Sequence, residues 1–225
     1  MKKTLLLITI LLSCQLFAQN WIDFKETITV DDTIYSKKSG LPYTGLITET
    51  AENGTITWKA RSVKGKYEGN YFAFYKNGDT LQKGTYKKGK LNGSIYYYYN
   101  NFAFGEPVIP HCYLKENYVN GIKNGKTIYY FENWRIASQR TYKNGFETGE
   151  CLIYRKTGEL FLKGKLYLNE GEGEWVIYNK DTSLKATIFF LKGYVSSCAG
   201  NCDGIYIGKT DVEEIENWLY MNPER

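Results

Sequence analysis

The chain has 225 residues, a formal charge of +5, 21 tyrosines, 22 glycines and a single histidine. So mild a charge argues against nucleic-acid binding, which concentrates basic residues in one footprint, whereas lysines here flank turn glycines, as in Lys88-Gly89-Lys90, with Glu49, Glu68 and Glu150 between them. With His111 the only imidazole, no His-based metal cluster can form, and no cofactor motif is present.

At the N-terminus, Met1-Lys2-Lys3 is followed by an apolar run from Leu5 to Leu12 and by Leu16-Phe17-Ala18 before Gln19. This pattern reads as a secretory signal peptide over 1–18, too short for a membrane span. Cleavage after Ala18 removes Lys2 and Lys3 and leaves 207 residues with a charge of +3. The alternative is lipidation of Cys14, with Leu12 large for that motif. Both readings predict export, to the periplasm or beyond it. Residues 19–44 then supply N-terminal capping strands, from Trp21 to Tyr35, turning at Asp31-Asp32.

From 45 to 196 the chain repeats itself. Gly45, Gly69, Gly93, Gly125, Gly149 and Gly173 lead six units separated by 24, 24, 32, 24 and 24 residues. A second column reads Gly65, Gly89, Gly121, Gly145, Asn169 and Gly193, and five residues after each leader stand Thr50, Phe74, Tyr98, Tyr130, Tyr154 and Tyr178. A period of this length marks an array whose units bury apolar surface against their neighbours. One turn per unit falls at Asn53-Gly54, Asn77-Gly78 and, as a longer variant, Lys156-Thr157-Gly158; the other falls at Lys88-Gly89, Asn120-Gly121 and Asn144-Gly145. Asn-Gly takes up the positive φ values of tight hairpin turns at little cost, and aromatic and β-branched runs such as 71–75 and 95–99 lie between the turns. The predicted fold is all-β: a long, twisted antiparallel meander of about twelve strands.

Gly-x-x-x-x-Tyr-x-x-x-Gly, followed by an apolar pair and Tyr-Lys-x-Gly-Lys, resembles the bacterial variant of the MORN repeat, most closely over 69–90 and 125–145, and 39–45 is similar to the way such arrays begin. Phe102, Trp134 and Asn169 depart from the glycine positions, and the third unit carries an eight-residue insertion at about 102–113. The resemblance implies a hairpin ribbon used for protein contacts. Lipid association is proposed for eukaryotic relatives and an antitoxin label is attached to bacterial ones; with a signal peptide, an exported immunity or scaffold role fits better.

Parity separates two faces. Positions three and five after each leader are bulky (Phe72 and Phe74, Tyr96 and Tyr98, Ile128 and Tyr130, Leu152 and Tyr154, Val176 and Tyr178) and are assigned to the core. The opposite face carries a surplus of rings at Tyr71, Tyr75, Tyr97, Tyr99, Tyr129 and Phe131, the candidate partner-binding residues. The insertion, with Phe104, Val108 and Ile109, either folds over this patch or leaves it open as a groove.

Of the four cysteines after Cys14, Cys198 and Cys202 flank a short glycine-containing loop and are expected to pair, leaving Cys112 for Cys151 among three possible connectivities. A zinc site from His111, Cys112, Cys198 and Cys202 lacks a CxxC pair. In the C-terminal segment, 197–225, Thr210-Asp211-Val212-Glu213 has capping-box spacing, and Val212, Ile215, Trp218 and Leu219 share one helical face. A helix over 211–221 would plug the end of the array or dock on a partner.

No nucleophile setting surrounds Ser196-Ser197-Cys198, and the glycines of Gly171-Glu172-Gly173 stand among acids, unlike a phosphate cradle. The sequence predicts a non-catalytic exported repeat protein that binds a protein or envelope component. Two alternatives accompany this reading: peripheral contact with lipid headgroups through turn lysines and rings, and an antitoxin-like inhibitor of a partner.

Overall fold

A computed structural model describes residues 21–100 and 111–202. The expected signal segment, residues 101–110, which include Phe102 and most of the insertion, and the helix expected over 211–221 lie outside the described residues. The strands are β1 (Trp21–Asp23), β2 (Thr27–Val30), β3 (Thr33–Ser36), β4 (Gly45–Thr50), β5 (Ile56–Val63), β6 (Lys66–Phe74), β7 (Thr80–Lys87), β8 (Lys90–Leu91) and β9 (Gly93–Tyr98). They continue with β10 (Cys112–Val119), β11 (Ile122–Lys123), β12 (Gly125–Tyr130), β13 (Ile136–Lys143), β14 (Phe146–Tyr154), β15 (Leu160–Tyr167), β16 (Glu170–Tyr178), β17 (Leu184–Leu191) and β18 (Tyr194–Gly200). Sixteen of them form one sheet in which sequence neighbours pair antiparallel from β4 to β18, with the short β8 and β11 beside β7 and β10. The first strand departs from the meander, because β1 adds parallel to β4 and covers that edge. The strands β2 and β3 form a separate hairpin whose turn residues Asp31 and Asp32 both have positive φ.

The two turns of each unit are built differently. The second is a two-residue hairpin turn with both residues at positive φ, from Lys64 and Gly65 through Lys192 and Gly193, and Leu168 and Asn169 adopt the same geometry without glycine. The first is a longer loop, a four-residue turn whose last residue is left-handed. In it Gly54 donates back to Ala51 O at 2.9 Å while Ala51 N donates to Thr55 O, and the same bonds recur at Tyr75, Phe131, Arg155 and Asn179. The Asn-Gly pairs there are therefore not tight two-residue turns, and the loop at Thr157 is no longer than the rest. Only the fourth residue, Gly54, Gly78, Trp134, Gly158 or Thr182, has positive φ, while Asn53, Asn77 and Asn133 accept a hydrogen bond from the amide two residues on, at 3.1, 3.1 and 3.2 Å.

Successive units are tied together at the second turn. Its glycine or asparagine amide donates to a carbonyl of the preceding unit: Gly65 to Tyr43, Gly89 to Tyr67, Gly121 to Leu91, Gly145 to Lys123, Asn169 to Glu147 and Gly193 to Gly171, at 2.8 to 3.0 Å. The amide opening the turn is also capped, by the residue before a leader glycine: Lys64 by Thr44, Lys88 by Glu68 and Asn120 by Asn92. A unit thus satisfies its backbone only with a neighbour present, the physical meaning of an array.

The buried face is the one opposite to that assigned from the sequence. Position two after each leader (Ile47, Tyr71, Ile95, Thr127, Cys151, Trp175) is at most 3% exposed in every unit, whereas positions three and five are half-buried, apart from Thr48 and Tyr98, which are buried. Each leader glycine has positive φ, and the pairing shifts register beside Gly69, Gly149 and Gly173. Past the second turn of the first unit, Tyr67 meets Trp58 and Tyr86, its ring centre 5.2 Å from each, on the side where Tyr71 is buried. Position two faces small or polar cross-strand partners that leave room for it, namely Ala60, Gly84 and Gly164 opposite Ile47, Tyr71 and Cys151. Two apolar regions result: Ile22, Ile34, Ile47, Ala60, Tyr71 and Ile95 toward the N-terminus, and Cys151, Ile153, Phe161, Leu162, Leu166, Trp175, Ile177, Ile188 and Phe190 toward the C-terminus. Each fully buried large side chain contributes about 1.5–3 kcal/mol of transfer free energy.

Candidate functional site

Between the two apolar regions the buried face is polar. Glu116, 4% exposed, accepts hydrogen bonds from Tyr97 and Tyr118 at 2.9 Å each and pairs with Lys123, whose ammonium lies 5.1 Å from the Tyr142 ring centre. One hairpin further on, Arg140 and Glu147 pair at 2.9 Å, Tyr142 also donates to Glu147, and the Arg140 guanidinium lies 5.5 Å over the Tyr129 ring. Burial, with the nearby carboxylates, drives the phenols of Tyr97 and Tyr142 well above the ordinary tyrosine range and that of Tyr118 to about 12. Sequence reasoning missed this network because Arg140 and Glu147 meet only across a hairpin.

The residues expected to meet a partner lie on this inner side or at the first-turn end. Tyr71 is buried over Gly84, while Tyr97 and Tyr129 belong to the network just described. Tyr75 donates to Tyr98 O at 2.8 Å, Tyr99 lies 4.7 Å from Tyr113 and 5.8 Å from His111, and Phe131 N closes a turn on Arg135 O. His111, 4% exposed, stacks on Tyr99 and meets the Trp134 ring edge-on at 4.1 Å, and neither ring nitrogen has a hydrogen-bond partner among the described residues. Among the described residues these rings do not line one open groove.

The opposite, outer face carries a different pattern. Cross-strand pairing sets Lys59 beside Phe72, Phe72 beside Lys83, Lys83 beside Tyr96, Tyr96 beside Lys115 and Lys115 beside Ile128 in one row. It continues through Gln139 and Leu152 to Lys163 and Val176. The Lys59 ammonium lies 5.2 Å from the ring centres of both Phe72 and Phe74, which stack at 6.2 Å, and Lys83 lies 5.3 Å from those of Tyr96 and Tyr98. Lys115 approaches Tyr96 from the other side at 5.5 Å. A hydrogen bond with Tyr98 holds the Lys83 ammonium above its ordinary pKa, so it stays charged at neutral pH. The signal was present in the sequence: fourteen residues after each leader, or twenty-two in the unit with the insertion, stand Lys59, Lys83, Lys115, Gln139, Lys163 and Thr187.

Cys198 and Cys202 are joined by a disulfide, while Cys112 and Cys151 are thiols on opposite sides of the sheet and do not pair. Cys112 lies opposite Tyr98 on the outer face, its thiol pushed up by burial, and Cys151 is fully buried on the inner face opposite Gly164. Among the described residues no group of three or more His, Cys, Asp and Glu side chains stands together to hold a metal. No protein-family model matches the chain, and no curated protein matches its sequence.

Proposed function

We propose that the protein is an exported, non-catalytic MORN-like repeat scaffold that binds a component of the cell envelope through the outer face of its sheet. The observation that carries this reading is the row in which Lys59, Phe72, Lys83, Tyr96 and Lys115 alternate lysine with half-buried ring, continuing through Ile128, Gln139, Leu152 and Lys163 to Val176 without interruption by a turn. A rigid sheet supplies the spacing, and side chains with apolar bodies and polar or charged ends suit an interface better than a core. Export rests on the pattern of residues 1–18, and the scaffold role on the repeat resemblance.

The test is capture of envelope components by the mature protein and by a Phe72→Ser, Tyr96→Ser, Tyr130→Ser variant with unchanged far-UV circular dichroism. A component retained by the parent and lost by the variant supports the reading. Equal retention by both overturns the outer face as the binding surface, and no retention by either overturns the scaffold role.

A further inference from the structure

The charges on the outer face are unevenly distributed, and the unevenness specifies a ligand chemistry. We infer that the outer face of the first four units is a binding site for an extended, acidic polysaccharide that carries one carboxylate per disaccharide. The inference rests on the scaffold reading above and names the ligand of the same face.

On this face the outward positions one, three and five after each leader, with their cross-strand partners, hold five cations in the first four units: Lys59, Arg61, Lys83, Lys115 and Lys126. None of these positions holds a carboxylate. Acids enter only with the fifth and sixth units, at Glu150 and Glu174, and there Lys163 is already neutralised by Glu150 at 3.1 Å. The first four units therefore present an uncompensated basic strip, and the last two a balanced one.

The period of the strip narrows the choice. Lys59, Lys83 and Lys115 sit on alternate strands, so their backbone positions recur at about 9.6 Å, twice the interstrand distance. The rings between them, Phe72 with Phe74 and Tyr96 with Tyr98, occupy the intervening strands. One sugar residue of an extended chain is close to one interstrand spacing in length. A disaccharide repeat would then set one sugar against the exposed part of Phe72 or Tyr96 and one carboxylate near the lysine beside that ring, and repeat that match along the row. Duplex nucleic acid carries charge far more densely, about one per 1.7 Å of axis, and has no exposed apolar sugar face to set on the rings. A lipid surface would call for basic residues grouped at one edge of the sheet rather than spread along its length.

The probe is hyaluronate, with a carboxyl-reduced hyaluronate and neutral dextran as controls, in affinity electrophoresis and calorimetry of the mature protein at low and high salt. Binding to hyaluronate that weakens with salt, absence of binding to both controls, and about tenfold weaker binding by Lys59→Gln, Lys83→Gln, Lys115→Gln, the combined effect of three exposed ion pairs, are the expected results. Lys163→Gln, Lys165→Gln on the balanced strip serves as the folded control and should bind like the parent. Equal binding of the carboxyl-reduced polymer, an unaffected triple variant, or tighter binding to duplex DNA or to phosphatidylglycerol vesicles overturns the inference. If the outer face captures an envelope protein but no acidic polymer, the scaffold reading stands and this one falls; if neither is bound, both fall.

Discussion

The indole of Trp175 occupies the space that a side chain at Gly164 would need: a Cβ placed there would lie 2.0 Å from the ring. Trp175 is fully buried, its Nε1 donates to Lys165 O at 3.1 Å, and Phe190 meets it edge-on at 5.5 Å, so the ring cannot withdraw. Gly164→Ala should therefore lower stability by about 3 kcal/mol, the upper range of an overpacked core, read as a lower urea midpoint with unchanged slope. An unchanged midpoint would mean that the ring moves freely.

Thr182 is a β-branched residue held at φ 65° in an exposed first-turn loop where other units use Gly54, Gly78 and Gly158. Its replacement by glycine removes left-handed strain without touching a packed contact, and Thr182→Gly should raise stability by about 1 kcal/mol. Trp134→Gly, at φ 68° in the equivalent position, should gain less, because it also removes the contact with His111. Urea titration of both variants distinguishes strain relief from lost packing.

The buried Arg140 and Glu147 pair responds differently to single and double substitution. Glu147→Leu alone leaves a guanidinium without its carboxylate in a dry interior and should cost about 3–5 kcal/mol. Arg140→Met together with Glu147→Leu should recover a large part of that loss. A double-mutant cycle that gives additive losses would remove the coupling between them.

Alkali should unfold the array ahead of tyrosine ionisation in its interior. Burial raises the Tyr67 and Tyr118 phenols from an ordinary value of 10.0 to about 12 in the folded chain. A raised folded pKa gives stability that is complete below pH 10.0 and is lost as pH rises toward 12, because the unfolded chain releases these protons first. Midpoint temperature should therefore fall through that window, with tyrosinate absorbance rising in step with unfolding. Full ionisation of the tyrosines near pH 10.0 with circular dichroism intact would contradict the burial.

Much of the fold could be read from the glycine ladder, since it marks both turns and hence the meander. The choice of face could not. Parity separates Phe72 from Tyr71 but does not say which is covered, and the answer depends on the side of the sheet on which Tyr67 packs against the rings of Trp58 and Tyr86. Two in-strand glycines outside the ladder, Gly84 and Gly164, did carry that information, because a glycine within a strand marks close approach by neighbouring side chains, here Ile95 and Tyr71 at Gly84 and Trp175 at Gly164. The lysine column was equally visible, but its meaning depends on a register that joins Lys59 to Phe72 and Phe72 to Lys83 across different hairpins. The contact between Arg140 and Glu147 was illegible because no local rule links residues seven apart across a two-residue turn.

The bond from Gly121 N to Leu91 O has the same form as those that join units 24 residues apart, although the inserted residues lie within this unit. Extra length has entered at the first-turn end and left the junction at the other end untouched. The two margins of the ribbon therefore have separate freedoms: one is a fixed seam that counts units, and the other is a hem where sequence can be let out. New loops added at Asn53, Asn77 or Asn133 would leave both the number of units and the order of the lysine row unchanged.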